Sequence, residues 1–157
     1  MKIQFWSIGK AHDSDLKKSI EEFTQRVGRY YPVEWVIIAP PKNAGALQPD
    51  ELKKREGALI LDKLGKDDFL IALDEYGKEV TSEGLAKIIQ TRANESTRSL
   101  VFLIGGAFGI DKTVLQTAAI KWSLSQLTFP HQLVRLILAE QVYRACTIIK
   151  NEKYHHS

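Results

Sequence analysis

Apolar positions along this chain change period several times, and each change marks an element. Lys2–Ile8 is mostly apolar and stops at Gly9, which predicts a strand. Leu16, Ile20, Phe23 and Val27 then fall at spacings of four, three and four. That is one stripe of a helix over 15–27, with Asp13 and Ser14 placed to cap it. Val33–Ala39 reads as a second strand, ended by Pro40-Pro41. After a loop over 42–48, Pro49-Asp50-Glu51 opens a helix to about Leu64. Phe69–Asp74 predicts a short strand, with a turn over 75–78 around Gly77. Thr81 or Ser82 caps a helix to about Asn94, and Ser99–Ile104 is the most strand-like run. A further strand near 120–123 and a long, almost wholly apolar helix from Pro130 to about Lys150 complete the series.

Strands alternating with helices predict an α/β fold with a parallel sheet flanked by helices. The continuously apolar Leu70–Leu73 and Leu100–Ile104 fit strands covered on both faces. In such sheets ligands bind beyond the C-terminal strand ends. Four places qualify: after Ile8, after Leu73, after Ile104 and after Ser123. A length of 157 residues suits a single domain, 1–157.

Composition narrows the setting. Apolar residues make up 44 % and charged residues 26 %, which argues for a folded chain and against disorder. The lone cysteine, Cys146, allows no intramolecular disulfide and sits among apolar neighbours as a buried, inert thiol. No run reaches the roughly 18–20 apolar residues of a membrane span, and the start is too short for a secretory h-region. A cytoplasmic protein is the expectation. The net charge of +3 is unevenly spread: residues 1–99 balance, and the excess lies in 100–157 with three of the four histidines. A mild attraction to an anionic partner and a slightly basic surface explain this equally well.

Four segments could carry chemistry. In the first, Phe102-Leu103-Ile104-Gly105-Gly106-Ala107-Phe108-Gly109, glycines follow a strand, as in a tight turn or a close ligand approach. A P-loop is excluded because Lys112-Thr113 come too late, and the glycine spacing is not that of a dinucleotide fingerprint. In the second, Trp122–His131, Leu124, Leu127 and Phe129 could hold an adenine ring while backbone N–H and C=O groups read its polar edge; an ordinary connector is the competing reading. The third is the long helix, whose apolar girth calls for burial on several sides, one of them a second subunit. On it Glu140 and Arg144 are spaced as a helical ion pair, whereas Arg135 has no such explanation. The last is the tail Tyr154-His155, a frayed end or a pair able to stack on a base and move a proton. No metal-ligand spacing is expected to form a site.

Taken in order, Phe102–Ala107, Trp122–His131, Leu133-Val134-Arg135 and Glu140–Ala145 closely resemble the RlmH family. These are the pseudouridine N3-methyltransferases of large-subunit ribosomal RNA, within the SPOUT superfamily. Ile8-Gly9-Lys10, Leu73-Asp74 and Gly77-Lys78 extend the resemblance over the whole chain. It implies an α/β fold with a C-terminal trefoil knot, a homodimer, and S-adenosyl-L-methionine bound by Leu73, Gly105 and the loop Leu124, Ser125, Gln126, Leu127, Thr128 and Phe129. The modest net charge, too small for a free RNA binder, predicts recognition of the shape of assembled ribosomal RNA within the ribosome, not of naked RNA. The chain departs from the family in its tail, where Asn151-Glu152-Lys153 lacks the usual glycine and proline.

Methylating an imide nitrogen requires removal of its proton and stabilisation of the resulting charge. Arg135 or Arg144 is expected to stabilise that charge or a phosphate. Tyr154 and His155, supplied by a partner subunit, are expected to orient the base and assist deprotonation. A non-enzymatic ribosome-associated RNA-binding protein is the alternative.

Overall fold

The computed structural model describes residues 1–156. Five strands form one sheet in the order β2-β1-β4-β3-β5, and every neighbouring pair is parallel. The strands are β1 (Lys2–Ile8), β2 (Val33–Ile38), β3 (Asp68–Glu79), β4 (Ser99–Ile104) and β5 (Ile120–Ser123). The helices are α1 (Ser14–Val27), α2 (Pro49–Lys63), α3 (Ser82–Asn94), α4 (Lys112–Thr117) and α5 (His131–Ile149).

Side-chain alternation along the central strands builds two cores. Ile3, Phe5, Leu100 and Phe102 point to one face and pack with residues of α1, α3 and α5. Trp6, Leu70, Ala72, Val101 and Leu103 point to the other and meet Ile60 of α2 and Val114 of α4. Every residue of β4 is buried, as a strand covered on both faces requires. The apolar girth of α5 is partly explained within one chain, since it packs between α1 and α3 as well as on the sheet.

Two readings of the sequence need adjustment. The strand ending near Asp74 continues to Glu79. Leu73 and Lys78 both pair with Trp122, so Asp74–Gly77 bulges out and the strand then rejoins β5. Gly77 permits the return, because a Cβ there would lie 2.6 Å from the Lys121 backbone. The second is α4, a two-turn helix that Asp111 caps by accepting from the Thr113 N–H. Six residues are too few to show an amphipathic period.

β3 hands the chain to α3 on one face, and its neighbour β4 hands it to α4 on the other. Connections leaving in opposite directions open a crevice between the ends of these two strands.

Candidate active site

A cleft of about 640 Å³ occupies that crevice. One wall is the end of β3 with Leu73, Asp74 and Glu75; a second is the glycine turn from Gly105 to Gly109. The loop after β5 closes the third side with Leu124, Ser125, Leu127, Thr128 and Phe129, and His131 and Val134 stand at the start of α5. Seven of the eight residues expected at the cofactor site therefore meet at one cleft. The eighth, Gln126, lines an adjoining hollow with Glu75, Tyr76 and Ser123. Phe108 is 53 % exposed and Leu127 is 71 % exposed, so apolar surface stands open at the rim.

The glycine turn is shaped by a residue the sequence reading passed over. Glu56 of α2 is 5 % exposed and its Oε1 has no hydrogen-bond partner. A Cβ on Gly106 would fall 2.6 Å from this carboxylate, and one on Gly105 would fall 2.5 Å from Ile110. Both positions need glycine because of close packing beneath the turn. Burial without a partner pushes the Glu56 carboxyl above the usual range. The available signal was an acid inside the stripe Leu52, Glu56, Ile60.

The four residues expected to act in catalysis do not come together. Arg135 is completely buried beside the end of β1. Its Nε donates to Ser7 Oγ at 3.1 Å, its Nη1 lies 3.1 Å from His12 Nδ1, and its Nη2 lies 3.5 Å from His131 Nε2. No carboxylate bonds to it among the described residues, and burial lowers its pKa against the pull of Asp13. His12 and His131 are lowered as well, by burial first and by the Arg135 charge second.

Arg144, Tyr154 and His155 form a separate cluster. Glu140 Oε1 accepts from Arg144 Nε at 3.0 Å, from Nη2 at 2.6 Å and from the Tyr154 hydroxyl at 3.0 Å. The guanidinium also lies 4.7 Å from the Tyr154 ring centroid. The Glu140 hydrogen bond raises the Arg144 pKa, while burial and then Glu140 raise that of Tyr154. His155 bridges Arg144 Nη1 through Nδ1 at 3.1 Å and Glu83 through Nε2 at 2.8 Å. A guanidinium only donates, so Nδ1 accepts and the ring proton faces Glu83. Asn151, at φ +55°, takes the left-handed turn that glycine often supplies, so the tail bends back without one. Arg144 lies 13 residues beyond His131, which is about 20 Å along the helix. The tail cluster of one chain stands well away from that chain's own cleft.

The chain matches the family described as "Predicted SPOUT methyltransferase" over residues 1–155. It is 49 % identical over 156 residues to the ribosomal RNA large subunit methyltransferase H of Cytophaga hutchinsonii, covering 99 % of this chain and 100 % of that one. The enzyme of the same name from Acetivibrio thermocellus is 38 % identical over 158 residues, covering 99 % of each chain. A solved structure, the SpoU methyltransferase AviRb from Streptomyces viridochromogenes in complex with AdoMet, aligns with 92 % of this chain and 59 % of its own. Its identity is 11 % and its TM-score 0.42, a likeness too loose to add weight.

Proposed function

The chain belongs to the SPOUT methyltransferase family, and we propose that it uses S-adenosyl-L-methionine to methylate N3 of a pseudouridine in large-subunit ribosomal RNA within the ribosome. The observation that carries this is the cleft between β3, β4 and β5, where seven of the residues expected to bind the cofactor line one space. Support for the RNA substrate comes from the full-length relatives named as large-subunit methyltransferases.

The cleft fits the cofactor on its own chemistry. Its size is within the roughly 300–1,000 Å³ of small-molecule sites. Leu73, Leu124, Leu127 and Phe129 offer apolar walls, and the glycine turn lets backbone approach closely. Asp74 and Glu75 supply negative charge at the rim for a cationic ligand. When bound, the cofactor supplies an electrophilic methyl group on a sulfonium. The residues of this chain hold and screen that centre, and the reaction then depends on geometry and water exclusion.

The N3 proton must leave before or during transfer. Arg144, held by Glu140, is the cation suited to stabilise the anion or a neighbouring phosphate, and Tyr154 and His155 orient the base. With Nε2 protonated toward Glu83, the nitrogen of His155 able to take the N3 proton is Nδ1, freed when Arg144 turns from it to the substrate anion. Arg135 acts from behind the cleft wall, since it is fully buried. Distance along α5 supports supply of the tail cluster by a second subunit, and half-exposed Leu133, Val134 and Ile137 offer apolar surface for a homodimer. The trefoil knot, the single domain over 1–157 and a cytoplasmic site belong to the same reading, supported by the family match across 1–155.

The test is to supply labelled S-adenosylmethionine and this protein to ribosomes from a strain lacking its gene, then map the label. Label on one pseudouridine of the large subunit is expected. Label elsewhere, or none, overturns the assignment. Absence of affinity for S-adenosylhomocysteine by calorimetry would favour a non-enzymatic ribosome-binding protein.

A further inference from the structure

The His131 ring is fixed from behind by groups that take no part in the cleft surface. Ser7 Oγ lies 2.9 Å from its Nε2, and Arg135 Nη2 lies 3.5 Å from the same nitrogen. Because a guanidinium has donors and no acceptor, Nε2 must be the accepting nitrogen. Ser7 completes a chain, accepting from Arg135 Nε at 3.1 Å and donating to His131. The remaining proton of a neutral ring then sits on Nδ1. Across the guanidinium, His12 Nδ1 faces Arg135 Nη1 at 3.1 Å and is likewise an acceptor. A proton on either accepting nitrogen would set two cations in contact; at His131 the Asp13 carboxylate favours that proton, but burial and the Arg135 charge outweigh it. His131 Nδ1 has no hydrogen-bond partner among the described residues, while its ring lines the cleft. With no protein partner, that N–H is free for an acceptor that arrives in the cleft.

We propose that His131 is a further site residue, a neutral imidazole whose Nδ1–H, fixed by Arg135 and Ser7, donates to an oxygen of the molecule held in the cleft. The proposal rests on the methyl-transfer reading above. Two oxygens have the required chemistry: the carboxylate of the methyl donor, and a base carbonyl beside N3, which gains negative charge as N3 loses its proton. A neutral N–H aimed at such an oxygen stabilises it without reorganisation. Arg135 and Ser7 are then positioning residues.

Two substitutions separate this role from a structural one. His131→Asn places an amide N–H close to the position of Nδ1, whereas His131→Gln places its amide near Nε2 and keeps the Ser7 contact. A donor role makes Asn the better replacement; a merely structural role makes Gln the better one. In the wild type, nitrogen-15 spectra at pH 7.5 are expected to show the proton on Nδ1. His131→Gln is expected to lose about tenfold in cofactor affinity or in kcat, with His131→Asn recovering most of it. Weaker binding of S-adenosylhomocysteine with unchanged binding of methylthioadenosine, which lacks the carboxylate, identifies the methyl donor's oxygen. Unchanged binding of both with a fall in kcat on ribosomes identifies the base carbonyl. A proton on Nε2, equal losses in the two variants, or a fully active Gln variant overturns the proposal. Failure of the wild type to bind S-adenosylhomocysteine overturns the methyl-transfer reading, and this proposal with it.

Discussion

Arg135 and Arg144 lie on one helix nine residues apart, in surroundings that share almost nothing. Arg135 is sealed at the end of β1, and its donors meet a serine and two neutral histidines. Arg144 is a quarter exposed, salt-bridged to Glu140, stacked on Tyr154 and tied to His155. A buried cation among neutral acceptors shapes its neighbours, because it is always charged and dictates which of their nitrogens accept. A partly exposed cation anchored by one carboxylate stays available to a substrate anion.

The largest expected effect tests the second half of that contrast. Arg144→Ala should lower turnover on ribosomes about 100- to 1,000-fold. Its cost to folding should stay under about 1 kcal/mol, as for a partly exposed ion pair. Single-turnover kinetics and urea denaturation measure the two, and turnover within tenfold of wild type would reduce Arg144 to an ordinary helical pair. Arg135→Met should behave oppositely. It strands Ser7, His12 and His131 in the interior and should cost about 2–4 kcal/mol of stability, read from the denaturation midpoint. A wild-type midpoint would break the comparison.

Acid distinguishes the two ends next. His12 and His131 are held below the ordinary histidine value of 6.5. As pH falls through 6.5 the unfolded chain takes up protons that the folded chain resists, so stability is complete above that value and lost below it. Each histidine contributes a slope of up to about 1.4 kcal/mol per pH unit. His12→Asn should remove about half of the slope between pH 7 and 5.5; an unchanged slope would locate its origin elsewhere. The smallest effect concerns Glu83, whose carboxyl is held below the usual range by the His155 hydrogen bond. Glu83→Ala should leave the denaturation midpoint unchanged while shifting the His155 Nε2 resonance. No shift would mean that the bridge does not persist in solution.

Much of this was legible because it is local. The stripe Leu16, Ile20, Phe23, Val27 and the cap at Thr81 are one-dimensional signals, and both elements form as expected. The pair Glu140–Arg144 follows from helical spacing alone. The sheet-end rule pointed to the ends after Ile8, Leu73, Ile104 and Ser123; Leu73 and Ile104 line the cleft, and the end after Ile8 does not. Other features depend on pairs far apart in sequence. Ser7 and His131 are 124 positions apart, and Glu83 and His155 are 72 apart, so no spacing joins them. The bulge at Asp74–Gly77 resembled a plain turn because its return depends on β5, which comes more than 40 residues later.

By itself, then, the sequence determined the parallel α/β class, the order of its elements and the segments that wall the cleft, because hydrophobic period and turn chemistry act over a few residues. Tertiary structure decided which of the two arginines is sealed and which is open. That choice depends on where β1 ends and where the tail bends back against α3 and α5. It also decided the proton position on His131, because a guanidinium delivered from the next turn of α5 and a serine from the opposite end of the chain leave the ring one accepting nitrogen.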